Sequence, residues 1–498
     1  MLSELIVDGN AVTTASSYTF ENVTSNHTIV AKFSPISYTI SYNLDGGTVS
    51  GNPTTYTVES NAITLNNPTK DGYTFTGWTG SNGTTPSTTV TIPKGSTGDR
   101  TYTANWESTW VGWNKPVIAT GLTPVNWNGS AWETTTVANW DYNYNSVATA
   151  THSTVTGNGN GKWANAQTAD GSLYVWIPRY SYKITSGYHS GGNSWNSLDD
   201  PGTNKIEVKF SNGTVDDIID GYSSHPAFTF GSQELEGIWV AKFEASQGST
   251  TSQVSAPTSS TSVAKSIPGV TSWRGITLSD MFDYAYNTYR NADSHLMKNT
   301  EWGAVAYLTN AIGRIPYINN SSDYITGNAG GSQDANQAPG TTNAWNTSGG
   351  VKASTTHNVY GIYDMSGGSW EYVAAYLNNG DNSLSSYASS LVNSYNFNGN
   401  KYVNVYLVGT SDSQGNNYAA WSNIKGDAVY ETSSSGLSNN SWDIDFANAP
   451  SSRYPVFARG GHAYHGSNTG VFSFCWDNGS SDGDSAYSYG FRVVLGIK

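Results

Sequence analysis

Short stretches of alternating apolar and polar residues predict β-strands in the first hundred residues. Residues 38–44 (Tyr-Thr-Ile-Ser-Tyr-Asn-Leu) alternate with a period of two, and Asp45-Gly46-Gly47 after them supplies a hairpin turn. Residues 73–78 predict the next strand. Because successive side chains of a strand point to opposite faces, each stretch presents its aromatic and aliphatic residues on one face of a sheet.

A 3.6-residue spacing of apolar residues predicts two helices farther along the chain. Either Thr277 or Ser279 can cap the first helix, and either Asn299 or Thr300 can cap the second. Gly313 is the expected end of the second helix. The expected inward residues are Leu278, Met281, Phe282, Ala285 and Tyr289 in the first helix and Trp302, Val305, Ala306 and Leu308 in the second.

Between and before these helices the pattern predicts short strands and long loops. Residues 173–179 and 237–244 are apolar runs, and a proline stops the first of them. Stretches rich in Gly, Ser and Asn at 185–204, 245–265 and 318–357 predict loops.

The composition is typical of an all-β or loop-rich extracellular protein. Charged residues make up only 12% of the 498 residues, whereas Gly (53), Tyr (33) and Trp (18) are plentiful. A chain of this length divides into about three or four domains. The net charge of −14, without a Lys/Arg stripe, leads us to expect no nucleic-acid partner.

Cysteine content and hydropathy exclude further kinds of site and segment. The single cysteine, Cys475, excludes an intrachain disulfide and any cysteine-based zinc cluster. No run of about 20 apolar residues is present, so we expect no direct membrane insertion. The N-terminus shows no signal segment, and we expect the chain to begin inside a longer protein whose anchor lies upstream or on a partner.

An internal repeat organises the first hundred residues. Residues 26–33 and 99–106 share Thr, Ala and a closing aromatic residue at a spacing of 73. We predict a partial β-repeat, the C-terminal half of a module, at 1–35 and a complete β-repeat at 36–106.

The complete repeat carries three motifs. They are Tyr-x-Ile-x-Tyr-x-Leu-Asp-Gly-Gly from residue 38, Gly-Tyr-x-Phe-x-Gly-Trp from residue 72 and Tyr-Thr-Ala-Asn-Trp from residue 102. In these motifs it resembles the Listeria–Bacteroides surface repeat, a small β-grasp-like module found in tandem in bacterial surface proteins. The resemblance implies a stalk or spacer.

Four motifs in the remainder carry a second resemblance. They lie at 296–308, 358–372, 459–461 and 490–495. Together they resemble the formylglycine-generating-enzyme type of C-type lectin fold over residues 107–498, and more closely the receptor-binding and variable proteins of phages, prophages and gut bacteria. We therefore predict a multidomain protein in which small all-β repeats precede an α+β C-type lectin fold with long loops.

The second resemblance also raises the question of catalysis. The family's oxidase resembles a copper enzyme that uses a pair of cysteines, and Cys475 is alone here. A hydrolase would need paired carboxylates or a nucleophile with its base, and spacing alone pairs none of the candidates. These candidates are Asp364, Glu371, Asp477, Asp482 and Asp484, with His357, His462 and His465. We expect a protein that is not an enzyme.

A calcium site is the one metal centre that the family suggests. Its Gly-Asn-Val-Trp-Glu-Trp motif corresponds to residues 367–372 here, with Gly368 in the place of the ligating Asn. Losing an oxygen ligand lowers calcium affinity. We expect Glu371 to accept buried backbone hydrogen bonds, Trp370 to lie in the core and no cofactor to bind, with calcium on Glu371 as the alternative.

Region 459–490 is the candidate binding surface. Arg459-Gly460-Gly461 opens it and a strand-like stretch from Gly490 closes it, whereas the 28 residues from His462 to Tyr489 are polar and aromatic. Phe472 and Phe474 alternate, so we expect them to point inward. The candidate ligand-binding residues are His462, Tyr464, His465, Ser467, Asn468, Ser473, Cys475, Trp476, Asp477, Asn478, Ser480, Ser481, Asp482, Tyr487 and Tyr489.

These residue types predict a ligand-binding protein displayed on a bacterial cell surface or a phage tail. Tyr, Trp, Ser and Asn dominate antibody-like contact surfaces, and we expect a cell-surface protein or glycan as the ligand. Variable proteins of diversity-generating retroelements end in a similar frame, and their mutated Asn-type codons never yield Lys, Glu, Gln, Met or Trp. Residues 462–489 contain no Lys, Glu, Gln or Met, and Trp476 would then be an invariant framework position. The alternatives are a phage tail-fibre or adhesin component with a fixed head, or an enzyme on the same fold.

Overall fold

The structure is a computed structural model of the chain. It describes residues 1–70, 73–108, 112–144, 146–148, 153–155, 161–192, 197, 199–248, 263–320, 325–329, 343–463, 466–475 and 488–497. The chain divides into two compact units, Met1–Trp110 and Val111–Lys498.

The first unit consists of short strands. They are β1 (Leu2–Val7), β2 (Asn10–Val12), β3 (Ile29–Phe33), β4 (Ser37–Asn43), β5 (Thr55–Thr57), β6 (Ile63–Thr64), β7 (Tyr73–Gly80), β8 (Gly83–Ser87), β9 (Thr91–Ile92) and β10 (Arg100–Ser108). Two larger sheets have the orders β2-β1-β3 and β5-β4-β10-β7-β8, and β6 pairs with β9. The strands predicted at 38–44 and 73–78 are confirmed as β4 and β7.

One core holds the five-stranded sheet together. Strand β10 lies at its centre, parallel to β4 on one edge and antiparallel to β7 on the other. Alternation along these strands buries Ile40, Trp78, Tyr102 and Ala104, each at most 4% exposed. The rest of this core is formed by Tyr56, Leu65, Val90 and Ile92.

The second unit is mostly β-sheet with few helices. Its strands are β11 (Thr123–Trp127), β12 (Trp132–Thr134), β13 (Ser146–Ala148), β14 (Ser153–Val155), β15 (Asn165–Gln167), β16 (Leu173–Pro178), β17 (Tyr180–Ser186), β18 (Lys205–Phe210), β19 (Ser223–Ser224), β20 (Thr229–Phe230), β21 (Gln233–Glu234), β22 (Gly237–Ala241), β23 (Ser294–Leu296), β24 (Trp370–Asn378), β25 (Asn404–Leu407), β26 (Val456–Arg459), β27 (Phe474–Cys475), β28 (Tyr489–Phe491) and β29 (Val493–Leu495). Its α-helices are α1 (Leu278–Thr288), α2 (Asn299–Ala311), α3 (Asn382–Tyr387), α4 (Ser389–Asn398) and α5 (Gln414–Ala420).

Three larger sheets make up most of this unit. Their strand orders are β12-β11-β15-β16-β22-β29-β23, β13-β14-β18-β17-β19 and β25-β24-β26-β27, and β28 pairs with β24 beside the last of these paths. Strands β16 and β22 confirm the apolar runs predicted at 173–179 and 237–244, although β22 ends at Ala241. A single large core runs through the sheets and helices.

The two predicted helices are present, and one of their predicted caps is wrong. Thr277 caps α1 in a reciprocal capping box with Asp280, as the pattern predicts. Helix α2 begins at Asn299, one residue after Lys298, so neither Asn299 nor Thr300 is the cap. The Glu301 carboxylate instead accepts a hydrogen bond from the Lys298 backbone N–H at 2.8 Å. Gly313, at φ 73°, follows the end of α2 as predicted.

Helix α2 approaches the backbone of a neighbouring loop so closely that one position requires glycine. A Cβ added at Gly303 would lie 2.1 Å from the carbonyl oxygen of Gly426. Gly415 in α5 has open space in the same place. The two helical glycines therefore differ in packing alone.

We predict that Gly303→Ala destabilises the second unit by about 2 kcal/mol, because a methyl group there forces α2 away from the loop. Gly415→Ala, the matched control, should stabilise it by about 0.5 kcal/mol through helix propensity. Calorimetric melting of the full chain measures both changes. Equal melting temperatures for the two variants would contradict the close approach of α2.

Candidate ligand-binding surface

Strand β24 fixes both ends of the candidate region. Glu371 is paired with Arg459 of β26 on one side and with Gly490 of β28 on the other. Neighbouring strands lie about 4.8 Å apart, so the chain leaves the sheet and returns to it at points about 10 Å from each other. Residues 460–489 therefore form an excursion between two points on either side of Glu371, and β27 within it pairs with β26.

The turn at the exit requires glycine. Gly460 and Gly461 have φ values of 83° and 78°, in the left-handed region. A Cβ on Gly460 would lie 3.1 Å from the Trp302 ring, and one on Gly461 would lie 2.6 Å from Thr469. The predicted framework motif Arg459-Gly460-Gly461 thus has a steric reason.

Arg459 holds the start of the region against the core. Its side chain is fully buried, and its guanidinium donates to four oxygen atoms. They are Ser473 O at 2.8 Å, Asn299 Oδ1 at 3.1 Å, Asp427 O at 2.8 Å and Ala428 O at 3.0 Å. A buried guanidinium is tolerated only with such partners, so Arg459 connects the exit of the region to α2 and to the loop at 427–428.

Arg492 anchors the other end through an ion pair. Its Nε and Nη2 atoms donate to the two carboxylate oxygens of Glu371 at 3.1 and 2.5 Å, and neither side chain is more than 1% exposed. Further donations at 2.9 Å reach the carbonyl oxygens of Ala241 and Tyr363. In place of the expected backbone hydrogen bonds, the described residues bring the guanidinium of Arg492 to both carboxylate oxygens of Glu371. Trp370 lies in the core as expected.

The residues at this place do not fit a calcium ion. Gly368 offers no side-chain oxygen, and the charge of Glu371 is already compensated by Arg492. Within the described ranges, no three His, Cys, Asp or Glu residues are grouped to hold a metal ion.

Two further carboxyl groups lie buried near Glu371. Asp364 accepts hydrogen bonds from Asn319 Nδ2 at 2.8 Å, from the Gly327 N–H and from the Thr326 hydroxyl. Glu244 accepts the Ser369 N–H at 2.8 Å through Oε1, whereas its Oε2 has no hydrogen-bond partner among the described residues. Burial, with repulsion from Asp364 and Glu371, raises the pKa of Glu244 well above its usual range. All three carboxyl groups are buried in the core, so they form no exposed catalytic pair.

Part of the predicted contact surface is buried. Ser473, Cys475 and Tyr489 are at most 2% exposed and His462 is 8% exposed, so their prediction as ligand contacts is wrong. Strand β27 pairs with β26, with Cys475 opposite Ala458, and this pairing folds residues 470–475 back into the sheet. Phe472 and Phe474 point inward as predicted.

Tyr489 is a core residue for a separate reason. Its ring stacks on that of Tyr372 with centroids 4.3 Å apart and an angle of 11° between the planes. It belongs to β28, whose parallel pairing with β24 begins at this residue. An aromatic ring next to a strand end is ambiguous in sequence, because the pattern does not show where pairing starts.

The other predicted contacts lie at the turn Gly466–Asn468 or outside the described residues. Ser467 and Asn468 belong to this short 3-10 turn, and Asn468 is half-buried. Outside the described residues lie Tyr464, His465, Trp476, Asp477, Asn478, Ser480, Ser481, Asp482 and Tyr487.

Two buried aspartates, Asp443 and Asp445, lie next to the region, and the sequence analysis did not predict a role for either. Asp445 Oδ2 accepts the Phe472 N–H at 2.8 Å, and a Cβ on Gly470 would lie 2.3 Å from this carboxylate. Asp443, at φ 63° and 5% exposed, has an Oδ1 atom without a hydrogen-bond partner in the described structure. Burial raises the pKa of Asp445 to about 8 and, with repulsion from Asp445, raises that of Asp443 well above its usual range.

We predict that the second unit loses stability as the pH rises from about 4 to about 8. Both aspartates hold their protons more tightly in the folded state, so the unfolded chain releases protons first and gains from the rise in pH. Asp443→Asn, which removes one titrating group, should flatten the dependence of the melting temperature on pH. Asp220→Asn is the control, because Asp220 is also left-handed but is exposed. Parallel curves for all three proteins would contradict the assignment.

We predict that Arg492→Met lowers the stability of the second unit by about 3 kcal/mol or more, because Glu371 loses the partner of its buried charge. Adding Glu371→Gln should restore part of this loss. Arg453→Met, at an exposed position, is the control. Denaturant unfolding followed by tryptophan fluorescence measures the free energies. A double variant as unstable as Arg492→Met would show that packing, and not charge pairing, is what Arg492 contributes.

Comparison with known proteins identifies one module. Residues 38–105 match the model of the Listeria-Bacteroides repeat domain, which confirms the surface repeat expected there. Repeats of this family are found in surface or extracellular proteins. Among curated proteins none matches the chain. No helix in the described ranges is long and apolar enough to cross a membrane.

Proposed function

We propose that this chain is a surface-displayed ligand-binding protein. Repeats within residues 1–106 form the stalk, and the head at 107–498 presents residues 460–489 to a cell-surface protein or glycan. The observation that carries the proposal is the pairing of Arg459 and Gly490 with the same residue, Glu371. Because the region begins and ends beside one residue of a buried strand, we propose that those of its residues outside 470–475 can change in sequence without shifting the sheet.

The chemistry of the region supports binding. Its anchors are buried and lie at its edges: Arg459, the glycines after it, and Arg492. The segments 464–468 and 476–487 supply Tyr, Trp, His, Asn, Ser and Asp. Aromatic rings give large contact areas at a low entropic cost, and Ser and Asn adapt their hydrogen bonds to the partner.

Because four candidates are buried, the proposed set of ligand contacts is smaller than the set predicted from the sequence. Removing His462, Ser473, Cys475 and Tyr489 leaves two short segments. The proposed ligand contacts are Tyr464, His465, Ser467, Asn468, Trp476, Asp477, Asn478, Ser480, Ser481, Asp482 and Tyr487. We propose no catalytic role, because Cys475 is buried and Glu371 is bound to Arg492.

The proposed fold of the head is the C-type lectin type, on the four motifs at 296–308, 358–372, 459–461 and 490–495. Strand β29, which forms the end of the last motif, lies between β22 and β23 in the seven-stranded sheet. This arrangement is compatible with a head built around its C-terminal strand. We further propose that residues 462–489 are diversified by a retroelement. Flanking DNA with a near-identical template repeat beside a reverse-transcriptase gene, differing at adenines, is the expected finding; without it the head is that of a fixed adhesin or tail component.

We predict that replacing Tyr464, Trp476 and Tyr487 together by Ala abolishes binding to whole cells and to glycan arrays on which the unaltered chain binds. The melting temperature should stay within about 2 °C, because aromatic contacts at a binding surface contribute little to the fold. The matched control replaces three half-exposed aromatic residues of the same unit, Tyr284, Tyr286 and Tyr395, and should leave binding intact.

Two results would contradict this assignment. Binding that survives the triple replacement would place the contacts elsewhere on the chain. A large fall in melting temperature would make the three side chains part of the core.

A further inference from the structure

A polar cleft lies at the opposite end of strands β24 and β26 from residues 460–489. Residues 379–382 follow β24, and residues 452–453 precede β26. Because a strand rises about 3.3 Å per residue, Asn379 lies about 25 Å along β24 from Glu371. The cleft is lined by residues 379–382, Asp412, Ser452 and Arg453 and has a volume of about 480 Å³. Sites for small molecules have volumes of about 300–1,000 Å³.

The lining of this cleft is polar throughout. Apart from Gly380, each lining residue carries an amide, a hydroxyl, a carboxylate or a guanidinium. The two carboxylates of Asp381 and Asp412 and the guanidinium of Arg453 leave the cleft with one net negative charge. The lining therefore offers both hydrogen-bond donors and acceptors, and its charge disfavours an anionic ligand.

Asp412 fixes the shape of one wall. Its Oδ1 accepts the Ser452 N–H and Asn417 Nδ2, both at 2.8 Å, and its Oδ2 accepts Asn379 Nδ2 at 3.1 Å. Asn379 Nδ2 also donates to the carbonyl oxygen of Ser452. These bonds hold Ser452 at φ 44°, a conformation that residues other than glycine rarely adopt. The wall therefore keeps one shape without a ligand.

Arg453 and Asp381 present polar groups that the fold does not use. The Arg453 guanidinium lies 5.1 Å from the centre of the Tyr454 ring, and it has no ion pair or hydrogen bond among the described residues. Asp381 Oδ1 accepts the Ser383 N–H at 2.9 Å and the Ser383 hydroxyl at 2.6 Å. Within the same part of the chain, Asp381 Oδ2 has no partner. A donor and an acceptor are thus available in one cleft.

We propose that this cleft is a binding site for a neutral saccharide. A hydroxyl group both donates and accepts hydrogen bonds, so one sugar ring can donate to Asp381 Oδ2 and accept from Arg453. Hydrogen bonds to charged groups are about twice as strong as those between neutral groups, which suits a cleft whose lining is polar. The site is separate from the ligand contacts proposed between residues 464 and 487, and it does not depend on them.

The test is saturation-transfer difference NMR of the full chain with the methyl α-glycosides of glucose, galactose and mannose at millimolar concentration. We expect saturation transfer from the chain to at least one of the three. The bound glycoside should also slow hydrogen exchange in segments 379–383 and 451–454, which locates it in the cleft. The chain in which Tyr464, Trp476 and Tyr487 are replaced by Ala should retain both effects.

Two substitutions remove a charge from the cleft and should leave the fold intact, as melting temperatures will check. Asp381→Asn keeps the cap of α3, because Asn and Asp cap helices equally well. This variant and Arg453→Gln should each weaken glycoside binding at least about tenfold, since a hydrogen bond to a charged group is lost. Arg290→Gln is the matched control, because exposed Arg290 also lies over a tyrosine ring, that of Tyr286. It should change binding less than about twofold.

Four outcomes would overturn the proposal. The first is the absence of saturation transfer to all three glycosides. The second is binding that neither Asp381→Asn nor Arg453→Gln weakens, which would place the sugar outside the cleft. The third is loss of binding in the variant without Tyr464, Trp476 and Tyr487, which would place it on the other surface. The fourth is protection of segments 379–383 and 451–454 by free alanine and by none of the glycosides, which would make the cleft a site for zwitterions.

Discussion

The ion pair between Arg492 and Glu371 is the interaction on which the architecture of the head depends. It joins the C-terminal strands to β24 inside the core, where both groups are removed from water. Separating the two strands would leave a charge buried without a partner, which costs several kcal/mol in comparable sites. Because Glu371 also opposes Arg459 and Gly490 in the sheet, this pair fixes where the excursion at 460–489 begins and ends.

The same constraint commits part of the excursion to the core. Residues 470–475 return to β26 and bury Phe472 and Phe474, with Asp445 beneath them holding the Phe472 N–H. Tyr489 is already part of the core. His462, Ala463 and Thr469 are buried as well, each at most 8% exposed. The polar composition of the region therefore did not show how much of it lies in the core.

The sequence analysis predicted those features that depend on residues close together in the chain. The alternation at 38–44, the capping of α1 by Thr277 and the end of α2 at Gly313 depend on side chains a few positions apart. The Arg492–Glu371 pair joins residues 121 positions apart, and no local pattern contains that information. For the same reason the burial of Tyr489, Asp443 and Asp445 could not be predicted from the sequence. The mostly β character of the head follows from sequence, whereas its C-type lectin topology stays a prediction.

The first unit contains two related segments in which the influence of neighbouring residues and that of distant residues can be compared. In both segments, residues 1–33 and 74–106, the first strand pairs with the third in the same register, with Leu5 opposite Ala31 as Trp78 is opposite Ala104. The hairpins differ, since Leu5 opposes Val12 whereas Trp78 opposes Ser87, so local residues set the same pairing for two of the three strands. The contrast between Ile29 and Tyr102 in exposure shows what pairing alone does not supply, namely cover for the apolar face. The register of these paired strands is a local property, whereas the burial of their apolar side chains depends on the strands that lie beside them.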